Sequence, residues 1–203
     1  MTPPSPPRLR TRFTIRPLTP DLWPALEEVF GAHGACNGCW CMYWRIGSVY
    51  TRRPRAQNRS DFRAIVRRGP PPGLLAFDGN VPVGWCQLTP RAVLPALEAN
   101  PRYPRVDDRP VGSISCFYVR RGYRRRGISA QLLGAAVKAA RRAGAPALEA
   151  YPADAQVASY TGVASTFARA GFKTVVDKNP RRPVMRRELQ RSRVTRRKRA
   201  SGR

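Results

Sequence analysis

The chain has 203 residues, enough for a single domain with its own core, so its size calls for neither disulfides nor a structural metal. Its formal net charge is +26, from 38 Lys and Arg against 12 Asp and Glu, and the only lysines are Lys138, Lys173, Lys178 and Lys198. Such a surface attracts polyanions, but an arginine, proline and alanine bias also follows from a GC-rich coding sequence, so charge alone does not define a nucleic-acid function. The five cysteines (36, 39, 41, 86 and 116) are an odd set, with no apolar leader or membrane-length run beside them. That combination argues against a disulfide-framed secreted domain or a membrane protein and for reduced thiols in the cytoplasm.

Residues 1–11 contain four prolines and read as a disordered leader. Residues 13–16 alternate apolar and polar side chains, as a first strand does. Thr19 or Asp21 can then cap a helix carrying Leu22, Leu26, Val29 and Phe30, stopped by Gly31 and Gly34. The aromatic-rich stretch 36–45 has no clear period. A second helix falls within residues 56–68, with Phe62, Ile65 and Val66 as its apolar face. Residues 73–77 and 81–88 form a hairpin, because the Asp78-Gly79-Asn80 turn accepts positive φ. Residues 89–110 are a long connection with one helical turn near 94–98. Residues 113–119 make strand four, and Ile128, Leu132, Leu133, Ala136, Val137 and Ala140 recur at helical spacing until Gly144. Strand five at 147–151, a helix at 160–170 and strands at 172–176 and 184–189 complete the order β, α, α, β, β, β, α, β, α, β, β. Beyond residue 189 the chain is nearly all basic and small polar residues, and is expected to be a disordered cationic tail.

The chemistry-bearing segment is residues 118–130. A strand ends, a turn rich in Arg120, Arg121, Arg124, Arg125 and Arg126 follows, and Gly127, Ile128, Ser129 and Ala130 open a helix. Unpaired N–H groups and the positive end of the helix dipole attract an anion there, and the small residues leave room for a pyrophosphate.

Strand order, the place of Arg124-x-x-Gly127-x-Ser129 after strand four, and Gly171-Phe172 after the following helix together resemble the GNAT superfamily over residues 12–189. The segment 39–45 (Cys-Trp-Cys-Met-Tyr-Trp-Arg), Gly84-Trp85-Cys86, Ser115-Cys116-Phe117 and Glu149-Ala150-Tyr151-Pro152 look like a bacterial branch of it. The resemblance implies an α/β (mixed α+β) fold, one domain with a central twisted mixed sheet of six or seven strands and about four helices. It also implies an N-acetyltransferase that moves an acetyl group from acetyl-CoA to a primary amine in a direct ternary complex. Phe117, Tyr118 and Val119 would hold the pantetheine arm and offer an N–H to the thioester oxygen, and residues 124–130 the pyrophosphate. Serine at 129 replaces the family's last glycine or alanine.

At the acid and base positions the chain departs from the family. Strand four has no acidic residue, and Phe167 stands where relatives carry an acidic tyrosine. Tyr160 is the substitute acid candidate, its alternative being a packed tyrosine at a helix start. Glu149 is a candidate base or else half of a structural ion pair, and Asp107 and Asp108 are weaker candidates. Trp40, Tyr43, Trp44 and Arg45 either line the acceptor pocket or close the core. Cys36, Cys39, Cys41 and His33 are potential zinc ligands, but lie too close in sequence to wrap one ion easily, so no metal is expected. Cys116 leaves a cysteine-linked acyl enzyme open. Expected partners are acetyl-CoA, an amine acceptor and non-specific nucleic acid at the basic tail, with no membrane and a monomer or homodimer. A nucleic-acid- or ribosome-associated GNAT-fold protein without catalysis is the competing reading.

Overall fold

The computed structural model describes residues 12–153 and 160–189; the expected leader and basic tail lie outside them. Seven strands form one sheet: β1 (Thr14–Pro17), β2 (Gly73–Asp78), β3 (Val81–Pro90), β4 (Gly112–Val119), β5 (Ala147–Ala150), β6 (Lys173–Val176) and β7 (Val184–Glu188), in the order β1-β2-β3-β4-β5-β7-β6. Every neighbouring pair is antiparallel except β4 with β5. The α-helical segments are α1 (Trp23–Phe30), α2 (Tyr43–Ile46), α3 (Arg55–Arg68), α4 (Pro95–Glu98), α5 (Ile128–Arg142) and α6 (Ala164–Arg169). The expected α/β domain with a mixed sheet is therefore present; α4 is the helical turn expected near 94–98, and α2 is a single turn added to the expected helices.

The helices sit where their apolar stripes require. On α5 the buried residues Ile128, Leu132, Leu133, Ala136, Val137 and Ala140 follow the 3.6-residue period and pack on one face of the sheet. Gly84 on β3 permits that approach, since a Cβ there would lie 2.9 Å from Ile128. On the opposite face α1 and α3 bring Trp23, Leu26, Phe30, Phe62 and Val66 onto Trp85, which has no exposed surface. Each such large side chain contributes roughly 1.5–3 kcal/mol relative to exposure. β3 is buried along most of its length, as a central strand covered on both sides must be.

One expected element is shorter than its sequence suggests. The last helix begins at Ala164, because Gly162 adopts φ +84° and Val163 is extended, so Tyr160 lies before the helix and not on it. The Tyr160-to-Phe167 helical spacing expected from sequence is thus replaced by a loop.

Candidate active site

β4 and β5 touch only through Gly112–Leu148, Ser113–Glu149 and Ile114–Ala150. Past that point the strands diverge, and residues 160–163 return beside the open edge of β4. Ser115 is an extra residue on β4, since Leu88 faces Ile114 while Gln87 faces Cys116. Such a bulge bends the strand and re-aims its side chains. The expected donor at Phe117 does face the opening, and its N–H is engaged by the Tyr160 carbonyl at 2.5 Å.

The loop after β4 is built by backbone geometry. Residues Arg121–Tyr123 form a 3-10 turn, Arg125 takes φ +61° and Gly127 φ +81°, and α5 starts at once. No side chain caps that helix, so its first N–H groups have no intrahelical partner. A Cβ on Gly127 would meet nothing within 4 Å, so glycine is favoured there by its φ and not by crowding. Arg124, Arg125, Gly127, Ile128, Ser129 and Ala130 line a cavity of about 380 Å³ in front of this helix end. It shares Val119, Arg124 and Ser129 with a cavity of about 470 Å³ along Phe117 and Tyr118. Arg124 Nε also donates to the Val119 carbonyl at 3.2 Å, tying the loop to the strand end.

Arg126 is the exception among the loop residues. It pairs with Asp78 at 3.1 Å and stacks over Phe13 and Tyr123, so it fastens the loop to the β2–β3 hairpin instead of facing the cavity.

Tyr160 lines both the β4 cavity and a third one, of about 340 Å³, on the far side. The path from the α5 N-terminus along β4 thus ends at Tyr160, a wall common to the β4 cavity and this third one. Tyr43 and Trp44 line this third cavity, and the Trp44 indole donates to the Ser115 carbonyl at 3.0 Å. Trp40 does not. It is 3% exposed and packs against Trp23 and Phe30, so it closes the core. Arg45 also turns aside, donating to the Val93 carbonyl at 3.1 Å.

The cysteine segment folds round the same cavity. Cys36, Cys39, Cys41 and Cys116 line it as free thiols, and Asn37, Trp40 and Cys41 adopt positive φ. Burial pushes Cys39 up to about 12, while a hydrogen bond with Cys41 and burial push Cys116 well above the usual thiol range. These groups are therefore weak nucleophiles near neutrality. Among the described residues, no three His, Cys, Asp or Glu side chains are arranged to hold a metal ion; His33 hydrogen-bonds with Arg55.

The acid and base candidates separate cleanly in space. Glu149 is fully buried away from the path, between Arg91 at 2.7 Å and Arg186 at 2.8 Å, with the Tyr151 hydroxyl donating at 3.1 Å. Of its two sequence readings, the ion pair fits this place and the base does not. Asp107 is bound by Arg186 and Arg109, which hold it well below the ordinary carboxylate range, and Asp108 shares its small side cavity. Neither reaches the cleft. Tyr160 does reach it: 40% exposed, stacked near Tyr118, with its hydroxyl paired to the Cys36 thiol. Burial first, and then Cys36, push its pKa up, so the phenol is protonated at neutral pH.

Residues 37–172 match the model of the acetyltransferase (GNAT) family. The chain belongs to the GNAT family. Solved structures agree on the fold of this GNAT domain. The PaiA N-acetyltransferase of Thermoplasma acidophilum, determined with coenzyme A, is 17% identical over 87% of this chain and 99% of that one, with a TM-score of 0.52. YncA of Salmonella typhimurium, determined with its cofactor acetyl-CoA, is 15% identical over 88% and 95%, with a TM-score of 0.51. An acetyltransferase of Thermus thermophilus reaches 22% identity over 89% and 100%, with a TM-score of 0.50. No curated protein sequence matches the chain.

Sequence reasoning missed several residues of the third cavity, above all Gln87, Ser115, Arg102, Tyr103 and Arg182. A signal existed for Gln87, a lone amide on an otherwise apolar central strand. Arg102, Tyr103 and Arg182 come from connections whose course no periodicity predicts, and Ser115 from the bulge in β4. Among the described residues no helix is long and apolar enough to cross a membrane.

Proposed function

We propose that this GNAT domain transfers an acetyl group from acetyl-CoA to a primary amine in a direct ternary complex. The observation that carries this reading is the row of adjoining cavities from the uncapped α5 N-terminus, along β4, to a separate cavity beyond Tyr160. One end suits a pyrophosphate and the other a second substrate, with Tyr160 between them. Acetyl-CoA supplies the activated thioester.

Each group on the path has a physical role in this reading. The N–H groups of residues 128–130 and the Arg124 and Arg125 guanidiniums face the cavity where phosphates would be held. The Phe117 N–H is the donor for an acyl oxygen, which would take over or share the contact that Tyr160 makes. The hydrogen bond given up is worth only about 1 kcal/mol net. Tyr160 holds a proton near the point where a thiolate must be quenched. Binding by calorimetry with acetyl-CoA, followed by thiol release with an amine panel, tests the whole. Absence of acetyl-CoA binding overturns it.

Three further results are expected. Tyr160→Phe should lower kcat by about a hundredfold with unchanged acetyl-CoA affinity if the phenol is the proton donor, as read by steady-state kinetics and calorimetry. A loss under about threefold would remove Tyr160 from that role.

No described carboxylate or histidine lines the third cavity, so the amine must shed its proton to water. Its reactive form is the neutral one, whose fraction grows with pH below the amine pKa. kcat/KM should therefore rise about tenfold per pH unit up to that pKa, shifting with the amine chosen. A break that stays fixed as the amine is changed would instead reveal an enzyme base. The raised thiol of Cys116 speaks for direct attack, and intact-mass measurement after incubation with acetyl-CoA alone should show no acetyl adduct.

A further inference from the structure

The third cavity carries more information than its position. Its floor contains Gln87 and Ser115, 0% and 1% exposed. Both amide atoms of Gln87 and the Ser115 hydroxyl are without a hydrogen-bond partner among the described residues. A buried amide left unpaired on two sides is costly unless something completes it. Aromatic walls rise above this floor, among them Trp44 and Tyr103. Arg102 and Arg182 stand in the same lining with no carboxylate partner among the described residues, whereas Arg91, Arg186 and Arg109 elsewhere are each paired with acidic side chains. Among the described residues no acidic side chain lines the cavity to receive a cation. A volume of about 340 Å³ lies at the low end of small-molecule sites, roughly 300–1,000 Å³.

We infer that the acceptor is a small, ring-bearing amine that also carries a carboxylate, of the size and kind of an aromatic amino acid, and that Arg102 and Arg182 select it. The inference rests on the acetyl-transfer reading. In that reaction the amine nitrogen forms a bond to the acyl carbon and loses a proton to solvent. The carbon–sulfur bond breaks, and the sulfur leaves with its electron pair and gains a proton. The ring packs between the aromatic walls, the carboxylate pairs with guanidinium groups, and Gln87 and Ser115 complete their hydrogen bonds on the polar part. A polyamine finds two like charges and, among the described residues, no counter-charge in this cavity.

The test uses the full chain with L-phenylalanine, phenethylamine and spermidine, compared per neutral amine in a thiol-release assay at saturating acetyl-CoA. L-phenylalanine should exceed phenethylamine in kcat/KM by about tenfold or more, and spermidine should be poorest. Arg102→Gln with Arg182→Gln should erase that ratio through KM, while the exposed and remote Arg67→Gln leaves it intact. Equal rates, a preference for spermidine, or a ratio untouched by the double variant overturns the inference. Calorimetric titration of N-acetyl-L-phenylalanine against N-acetylphenethylamine, with and without coenzyme A, decides the same point without turnover: the carboxylate must bind more tightly in the wild type and lose that advantage in the double variant. If acetyl-CoA fails to bind, the transfer reading falls, while this titration still decides what the cavity selects.

Discussion

Ser129→Glu is expected to raise the dissociation constant of acetyl-CoA by at least about a hundredfold while leaving thermal stability unchanged or slightly higher. Ser129 lines both the cavity at the α5 N-terminus and the one along β4. A carboxylate there faces the place proposed for a pyrophosphate. At about 5 Å and an effective dielectric near 20, repulsion is about 3 kcal/mol per phosphate charge, enough for a hundredfold loss. The same carboxylate is favourable to the helix, because the first turn of α5 carries no acidic residue and the helix dipole rewards one by roughly 0.3–1 kcal/mol. Binding and stability should therefore move in opposite directions. Calorimetry and a thermal melt on one preparation would show it, and unchanged affinity would mean that the anion is held elsewhere.

Glu149→Ala should cost about 3–5 kcal/mol of folding stability, read as a fall of about 10 °C in Tm or an earlier urea midpoint. Arg91 and Arg186 are 3% and 5% exposed, and both direct guanidinium nitrogens to this one carboxylate. Glu98 and Asp107 give each arginine a second acidic neighbour, but both are more solvent-exposed than Glu149. Removing the central charge strands two cations in a poorly hydrated place. Glu149→Gln keeps the volume and part of the hydrogen bonding, so its loss should be smaller. Folded Glu149→Gln protein should keep its transfer rate; a hundredfold fall in kcat without unfolding would return Glu149 to the role of base.

Legibility in the sequence followed the range of the physics involved. The 124–130 loop and α5 were readable because glycine φ, small residues and the 3.6-residue stripe are local. The Asp78-Gly79 turn fixed its hairpin for the same reason. Trp40 was not readable: its stretch has no period, and positive φ at Asn37, Trp40 and Cys41 turns the chain through conformations that propensity does not foresee. Tyr160 was expected on a helix over residues 160–170, yet Gly162 delays the start to Ala164. Glu149 meets Arg91 and Arg186 across 58 and 37 residues of chain, distances at which only the assembled sheet brings charges together.

The short junction between β4 and β5 has a mechanical meaning. Three residue pairs join β1–β4 to β5, β7 and β6, and Glu149 stands opposite Ser113 within that junction. The sheet is thus two leaves on a narrow spine, and the Arg91–Glu149–Arg186 cluster is the rivet in it. The angle between the leaves sets the width of the cleft, so removing the rivet's side chain, as Glu149→Ala does and Glu149→Gln does not, can loosen the grip on both substrates without touching either. New acceptors could be accommodated by rewriting the outer loops while the spine is kept.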